Sequence, residues 1–261
     1  MGRRRSPPNG LPVLEPGSLV APGYVVREHL SRGRALDVYE AWSADRGCLC
    51  VVKTLRPDRA ADRSARRRLK LEGELLLQLS HPHIVRAYEL RLRPEPAVVL
   101  ETLGGATLAY LIQTRKRGFP VAELAVLGLQ LASAVAYIHR HGYLHLDLKP
   151  TNVVCEAGLA KLIDLSVAHT PGNGRKAVGS RPYMAPEQAR AGKRTVRTDV
   201  WGLGTVLYEA ATRRRPSERT PVRTLRRLPA ELGAAIDACL EPDPDARPTI
   251  AALGSVLAKY T

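Results

Sequence analysis

The segment Tyr143–Asn152 reads Tyr-Leu-His-Leu-Asp-Leu-Lys-Pro-Thr-Asn and places an acid, a base and an amide within six residues, from Asp147 to Asn152. Pro150 has no backbone N–H and interrupts a regular helix, so the segment is expected to form a loop. The apolar run Val153–Cys155 that follows has the composition of a short strand. The sequence therefore predicts a polar loop that leads directly into a strand.

A second acid follows a second apolar run. Asp164 comes after that run, and Glu156–Gly158 between the two runs has the composition of a hairpin turn. A carboxylate can orient a hydroxyl group and take its proton, and a lysine can neutralise a phosphoryl group. Amide and carboxylate oxygens are ligands that suit Mg²⁺. The pattern predicts one site formed by four side chains: Asp147, Lys149, Asn152 and Asp164.

The loop resembles the catalytic loop of protein kinases, with His145-Leu146-Asp147 in place of the usual His-Arg-Asp. The resemblance implies that Asp147 orients and deprotonates a Ser or Thr hydroxyl group, and that Lys149 stabilises charge on the γ-phosphoryl group of ATP. It also implies that Asn152 and Asp164 hold Mg²⁺. Taken alone, the segment is also compatible with an ordinary polar loop between two strands.

The first part of the chain resembles the kinase N-terminal lobe. Strands are predicted at Tyr24–Val26, Asp37–Trp42 and Cys48–Val52. The segment Leu30–Leu36 takes the place of the glycine-rich phosphate loop, and it retains only the middle glycine, Gly33. Because a Cβ atom restricts the approach of a backbone to phosphate, the missing glycines predict weaker nucleotide binding.

Lys53 is the candidate lysine for the nucleotide phosphates, and Glu72 is its candidate partner. A helix predicted over about residues 61–79 carries Glu72 between Leu69 and Leu76 on one apolar face. A carboxylate on a buried face needs a compensating charge. Lys53, at the end of a predicted strand, can supply it.

The resemblance implies further contacts with ATP. Val38 precedes Lys53 by fifteen residues, as in the family, and Val51 stands where alanine usually covers the adenine. Backbone groups of Glu101 and Leu103 are expected to hydrogen-bond the adenine. The expected nucleotide-binding residues are Gly33, Val38, Val51, Lys53, Glu101, Leu103 and Val154.

The segment between Asp164 and Glu187 resembles the kinase activation segment. Leu165-Ser166 follows the metal-binding acid in place of Phe-Gly, and Ser180 replaces a threonine that usually contacts the catalytic aspartate. In many kinases the arginine at the position of Leu146 binds an activating phosphate, and a leucine cannot do so. We therefore predict activity that does not require phosphorylation of this segment.

The resemblance covers about residues 22–259. Asp199 is expected to tether the catalytic loop, and Arg247 to pair with Glu187. The predicted fold is α+β and bilobal, protein-kinase-like, with a small, mainly β N-lobe containing one helix and a larger, mainly helical C-lobe with a shortened substrate-side helix region. The expected boundaries are a disordered basic, proline-rich arm at 1–20, the N-lobe and hinge at 21–103, and the C-lobe at 104–261.

The run Pro186–Ala189 and the lysine two residues after Asp147 favour a bacterial-type serine/threonine kinase that acts on proteins. The rival interpretation is a pseudokinase that serves as a binding or scaffold module. The residues Ser31, Leu36, Val51 and Ser166 support the rival. Every polar group needed for the chemistry is retained, which favours an active enzyme.

The net charge, the aromatic content and the cysteines indicate which binding partners and which cellular compartment to expect. The chain of 261 residues carries a formal net charge of +15, but without interleaved aromatic residues nucleic-acid binding is not expected. The basic loop 213–227 is expected either to bind an acidic partner or to be solvated. Four cysteines without metal-binding spacing indicate reduced thiols and a cytoplasmic protein. Polar residues interrupt the apolar run Val121–Ile138, which predicts a buried helix and no membrane span.

Overall fold

The structure, a computed structural model, describes residues 11–174, 176–216 and 220–261, which form two compact units. The first unit contains the chain up to Gln78 together with Arg86–Thr102. The second unit contains Leu79–Val85 together with Leu103–Thr261. Residues 1–10, the first half of the expected basic arm, lie outside the described residues.

An antiparallel sheet and one long helix build the first unit. Its elements are β1 (Leu19–Ala21), β2 (Tyr24–Arg32), β3 (Leu36–Ser43), β4 (Cys48–Leu55), α1 (Arg63–Gln78), β5 (Ala87–Arg91) and β6 (Ala97–Glu101). The strands lie in the order β1-β2-β3-β4-β6-β5, and each neighbouring pair is antiparallel. The segment expected to be the phosphate loop, Leu30–Leu36, comprises the end of β2, the tight connection 33–35 and the first residue of β3.

The two faces of this sheet differ. One face packs an apolar cluster that includes Tyr24, Ala41, Cys50, Val52 and Val99. The other face carries Lys53, which lies opposite Val38 on β3 and opposite Val98 on β6. Directly paired residues of neighbouring strands point to the same side of a sheet. The lysine and its apolar neighbours therefore share one face.

Helix α1 packs closely on the face that carries Lys53. Glu72 lies within its buried apolar stripe. A Cβ atom on Gly73 would lie 2.7 Å from Leu90 and 2.9 Å from Val98, so the absence of a side chain permits this approach. The close packing brings Glu72 down onto the sheet.

Residues 11–20 differ from the expected disordered arm. The backbone N–H of Leu14 donates to the Tyr39 hydroxyl at 3.2 Å, and Arg32 donates to the carbonyl oxygen of Leu11 at 2.7 Å. This part of the arm is packed against β2 and β3, because its polar backbone groups find partners there.

The second unit is mainly helical. Its elements are β7 (Ala106–Thr107), α2 (Leu108–Thr114), α3 (Val121–Arg140), β8 (Val153–Glu156), β9 (Leu159–Leu162), β10 (Gly172–Asn173), α4 (Pro186–Ala189), β11 (Lys193–Arg194), α5 (Val196–Thr212), α6 (Val222–Leu225), α7 (Ala230–Cys239) and α8 (Ile250–Leu257). The small sheet β7-β8-β9 packs on α3, which also contacts α5 and α8. The predicted basic loop 213–227 contains the short helix α6.

Helix α3 forms the centre of this unit. It is the one helix, among the described residues, that is long and apolar enough to cross a membrane. Half of that apolar window is buried inside the protein. Leu124, Leu131 and Ile138 on its inner side are fully buried. The helix therefore serves as a packing surface for its neighbours in the second unit, as the polar interruptions of its sequence predicted.

Candidate active site

Lys53 and Glu72 form a buried ion pair in the first unit. Lys53 Nζ lies 2.6 Å from Glu72 Oε1. The Glu72 side chain is fully buried, and Lys53 is 8% exposed. Strand β4 supplies the lysine and α1 supplies the carboxylate, so the pair joins helix α1 to the sheet. A lysine held in this way is a fixed positive charge on one face of the sheet.

Strand pairing shows where the other residues predicted for this face of the sheet lie. Val38 is paired with Lys53, and Val51 is paired with Leu100. Both valines are half-buried. Glu101 ends β6, and its backbone N–H donates to the carbonyl oxygen of Arg86 at 2.9 Å. The structure thus places an apolar surface beside the lysine on the same sheet face.

An ion pair closes the turn that contains Gly33. Arg32 donates through Nε and Nη2 to both carboxylate oxygens of Asp37, at 2.7 and 2.8 Å. Burial would raise the pKa of Asp37, but the bonds from Arg32 and His29 outweigh it and lower that pKa. The N–H of Gly33 donates to the carbonyl oxygen of Leu36 at 2.8 Å. This amide is therefore used within the turn and would have to leave Leu36 to reach a phosphate.

In the second unit, Asp199 holds the backbone of the catalytic loop. The N–H groups of His145 and Leu146 donate to its two carboxylate oxygens, each at 2.8 Å. His139 Nε2 lies 2.8 Å from the same carboxylate. Leu146 has φ of +63°, a left-handed conformation that is costly for a residue other than glycine. Asp199 at the start of α5 therefore stabilises a strained turn just before Asp147.

Asp147 lies at the centre of a hydrogen-bond network. Its Oδ1 accepts the backbone N–H of Ser180 at 2.8 Å, and its Oδ2 accepts Lys149 Nζ at 2.7 Å. The Asn152 side-chain amide donates to Oδ2 at 3.2 Å and to the Asp147 carbonyl at 3.0 Å. Lys149 also donates to Ser180 Oγ at 2.7 Å. The structure thus brings the predicted base, lysine and amide together.

The β8–β9 hairpin brings Asn152 and Asp164 to the same end. The N–H of Ile163 donates to the carbonyl oxygen of Asn152 at 3.1 Å, one step beyond the paired strands. Because the side-chain nitrogen Nδ2 of Asn152 donates to Asp147, the side-chain oxygen Oδ1 is the atom of this residue that can bind a cation. Asp164 Oδ1 accepts the N–H of Ser166 at 2.8 Å, which orients that carboxylate.

The oxygen atoms of Asn152 and Asp164 suit Mg²⁺ better than a metal ion that is coordinated entirely by protein side chains. Among the described residues, no group of three or more His, Cys, Asp or Glu side chains could hold a metal ion. Mg²⁺ in phosphoryl-transfer sites typically takes only one or two protein oxygen ligands and completes its shell with waters and phosphates. One amide oxygen and one carboxylate at the end of the hairpin match that requirement.

Two expected nucleotide contacts belong to the second unit. Leu103 is half-buried and precedes β7. Val154 lies on β8, paired with Thr107 on one side and Lys161 on the other. The hairpin turn that the composition predicted is present, and Ala157 and Gly158 both have positive φ.

Gln188 is a residue of the site that the sequence reasoning missed. Its Nε2 donates to the carbonyl oxygen of Leu146 at 2.6 Å and to that of Val178. A Cβ atom on Gly179 would lie 2.5 Å from the Leu146 carbonyl, and this glycine has φ of +105°. Gln188 and Gly179 therefore dock the end of the activation segment onto the catalytic loop. The run Pro186–Ala189 indicates the bacterial type, but no local pattern indicates that Gln188 donates to the catalytic loop.

A buried ion pair anchors the same segment to the rest of the unit. Arg247 Nη1 and Nη2 donate to the two oxygens of Glu187 at 2.8 and 2.9 Å. The Arg247 side chain is fully buried and stacks on the Trp201 ring at 5.1 Å. The pair fixes α4, which carries Gln188.

Comparison with known proteins identifies the class. The sequence profile of the protein kinase domain matches residues 24–256. The chain therefore belongs to the protein kinase domain family. The predicted family and the predicted α+β fold class are confirmed by this match and by the solved structures described next.

The relatives are bacterial serine/threonine kinases. PkaA of Streptomyces coelicolor is 31% identical over 87% of this chain and 48% of its own length. PrkC of Bacillus subtilis is 31% identical over 84% of this chain and 35% of its own length. The chain thus spans less than half the length of these relatives. The crystal structure of the Mycobacterium tuberculosis PknI kinase domain is similar with a TM-score of 0.77, at 24% identity, over 95% of this chain and all of that domain.

Proposed function

We propose that this protein transfers the γ-phosphoryl group of ATP to Ser or Thr hydroxyl groups of protein substrates. The observation that carries the proposal is the network around Asp147. A carboxylate held by Lys149, Asn152 and the Ser180 N–H has a fixed orientation before any substrate arrives. Positioning and electrostatics supply most of the rate in phosphoryl transfer, so such a network is the feature that the chemistry needs.

Each residue has a separate task in this proposal. Asp147 orients the acceptor hydroxyl group and accepts its proton as the bond to phosphorus forms. Lys149 stabilises negative charge on the transferred group, and it must exchange part of its contact with Asp147 or Ser180 to do so. Lys53, held by Glu72, binds the nucleotide phosphates.

Asn152 and Asp164 would hold Mg²⁺ through their oxygen atoms. When bound, the ion neutralises charge on the phosphate oxygens. The expected contacts with ATP remain those named from the resemblance. Gly33, Val38, Val51 and Glu101 belong to the first unit, and Leu103 and Val154 belong to the second.

The proposal includes activity without phosphorylation of the activation segment. Leu146 is buried and cannot bind a phosphate, whereas Gln188 and the Ser180 N–H join the activation segment to the catalytic loop directly. Thr170 is exposed, and its hydroxyl contacts only its neighbour His169 among the described residues. We expect Thr170→Ala to retain activity close to that of the wild type. A collapse of activity in this variant would refute this part of the proposal.

The test is transfer of radiolabelled phosphate from ATP with Mg²⁺ to the protein itself and to a generic basic protein. Asp147→Asn should abolish incorporation and leave thermal unfolding nearly unchanged. Asp45→Asn, an exposed aspartate on the first unit, is the matched control and should behave like the wild type. Equal incorporation by the Asp147 variant would refute the assigned role.

A pseudokinase is the second candidate, and the closed turn at Gly33 favours it. The Arg32–Asp37 pair and the hydrogen bond from the Gly33 N–H to Leu36 both oppose close contact between this turn and the nucleotide phosphates. Nucleotide that raises the melting temperature without any transfer would support a nucleotide-binding pseudokinase. The retained network at Asp147 makes the active enzyme our first choice.

The lobe boundaries at residues 21–103 and 104–261 are part of the proposal. The cytoplasmic location stays a prediction. An acidic partner for the basic segment 213–227 is also proposed.

A further inference from the structure

Three basic pairs that are far apart in the sequence converge on one pocket of the second unit. They are Lys116-Arg117, Arg213-Arg214 and Arg226-Arg227. The pocket is open, with a volume of about 650 Å³, and lies at the ends of α2 and α5 beside α6. The convergence depends on the tertiary fold, because about a hundred residues separate the first pair from the second.

Two of these arginines build the wall of the pocket. Arg213 donates to the carbonyl oxygens of Ile112 and Gln113, at 3.0 and 3.2 Å, at the end of α2. Arg226 donates to the carbonyl oxygens of Ala211 and Phe119, at 3.0 and 2.7 Å. Each guanidinium group therefore closes a helix end and is held in a fixed position.

Glycine makes the close packing of this wall possible. A Cβ atom on Gly118 would lie 1.8 Å from the carbonyl oxygen of Ala211 and 2.4 Å from Arg226 Nη1. The segment after α2 thus rests directly on the end of α5. The pocket is a packed structure and not a chance arrangement of mobile side chains.

The other four cations face the solvent. The side chains of Lys116, Arg117, Arg214 and Arg227 are exposed, and in the part of the chain that the structure describes they contact no carboxylate. None of the described lining residues is acidic. Like charges held close together repel each other, and an anion bound among them lowers this electrostatic free energy.

The neighbouring arginines behave differently. Arg115 is paired with Glu123 at 2.7 Å, and Arg215 lies 3.9 Å from Glu209. The chain therefore supplies carboxylate partners just outside the pocket and none from the described residues inside it. This contrast indicates that the charge of the pocket is directed towards an external ligand.

We propose that this basic pocket docks an acidic, Asp- and Glu-rich segment of a partner protein. The pocket is concave, and Leu225, which is 38% exposed, gives it an apolar contact point that a polypeptide can use. The described residues of its lining include no aromatic ring on which a base could stack. These features favour a polypeptide over nucleic acid. Docking does not depend on phosphoryl transfer, so it stands or fails separately from the proposed function.

The test is fluorescence anisotropy with a short labelled peptide of alternating Asp and Glu, without ATP. The double variant Arg214→Glu/Arg227→Glu avoids the two wall arginines. The control is Arg27→Glu/Arg93→Glu, with the same change in net charge at two exposed arginines of the first unit. We expect the pocket variant to bind at least about tenfold more weakly. The control should remain within about twofold of the wild type, because distant sites act independently.

Other outcomes would overturn the proposal. They are no binding by the wild type, equal weakening in both variants, or tighter binding of a single-stranded oligonucleotide or of phosphatidylserine vesicles than of the peptide. Arg214→Gln/Arg227→Gln provides a milder second variant, with thermal unfolding as the check on folding. Because the assay uses no ATP, loss of kinase activity in any preparation leaves its result interpretable.

Discussion

Breaking the buried pair between Glu187 and Arg247 should strongly destabilise the protein. In Glu187→Gln, the Arg247 guanidinium stays fully buried but loses its counter-charge, and one of its two carboxylate contacts becomes an amide. Removing one partner of a buried pair typically costs about 3–5 kcal/mol. That is a large fraction of the roughly 5–15 kcal/mol that stabilises an ordinary protein. For a chain of this size it corresponds to a fall in melting temperature of roughly 6–20 °C.

Two further variants separate the charge effect from simple loss of contact. Glu187→Gln/Arg247→Met removes both charges, so it should recover part of the stability lost in the single variants. Glu231→Gln breaks the exposed pair between Glu231 and Lys259 in the same unit. It should leave the free energy of unfolding nearly unchanged, since exposed ion pairs contribute little.

Urea unfolding followed by tryptophan fluorescence measures the wild type, these three variants and the single variant Arg247→Met. Trp201 stacks on Arg247 and so reports on the site. A fall of less than about 1 kcal/mol in the free energy of unfolding of Glu187→Gln would refute the reasoning, because the buried pair would then contribute no more than a typical exposed pair. A double variant as unstable as the sum of the two single variants would also contradict it, since contacting partners are expected to couple.

The same pair predicts how stability depends on pH. Burial alone would raise the pKa of Glu187, but the hydrogen bonds from Arg247 and the backbone outweigh it and lower that pKa. A carboxyl group whose pKa is lower in the folded state contributes stability above its unfolded pKa, about 4.3. This stability is lost as the pH falls through the folded-state value. Glu187→Gln should therefore show a shallower loss of stability in acid than the wild type.

Other predictions concern single positions. Gln188→Met should lower kcat by about tenfold through loss of a bond to the catalytic loop, with little change in KM for ATP, in steady-state kinetics. Gly118→Ala should lower the melting temperature because its Cβ would collide with a carbonyl oxygen, whereas Gly254→Ala, with 3.9 Å of space, should not. Burial raises the pKa of Cys50 to about 11 and that of Cys239 to about 12, so mass spectrometry after alkylation of the native protein near pH 8 should find both unmodified.

The fold class and the central loop could be predicted because their signals are local. The loop Tyr143–Asn152 combines a helix-breaking proline with a polar run before a strand, and each feature lies within a few residues. The apolar stripe of the helix around Glu72 is also a local pattern, of period 3.6. The identity of its partner required a resemblance, because residues 53 and 72 are brought together only by the packing of α1 on the sheet.

The features that the sequence did not predict depend on tertiary contacts. Arg213 and Arg226 donate to backbone carbonyl oxygens about a hundred residues away, and any residue can supply a carbonyl. Gln188 acts in the same way on the Leu146 carbonyl. Residues 11–20 have the composition of a disordered arm, yet hydrogen bonds between their backbone and the side chains of Tyr39 and Arg32 hold them on the sheet. In each case the deciding partner is a backbone group, which leaves no pattern in the sequence.

The contacts of the strained residue Leu146 support the proposal that this catalytic loop is organised without a phosphate. A left-handed conformation costs a leucine about 1–2 kcal/mol. Its N–H group is held by Asp199, and its carbonyl oxygen is held by Gln188. A net contribution of roughly 0.5–1.5 kcal/mol from each bond, and more where a charge takes part, is enough to offset that cost. Arginine at this position could recruit a phosphate, but here both backbone groups of Leu146 are already fixed by residues of the chain itself. The network around Asp147 is therefore preorganised by protein contacts, and removing Gln188 should disturb it even when every catalytic residue is present.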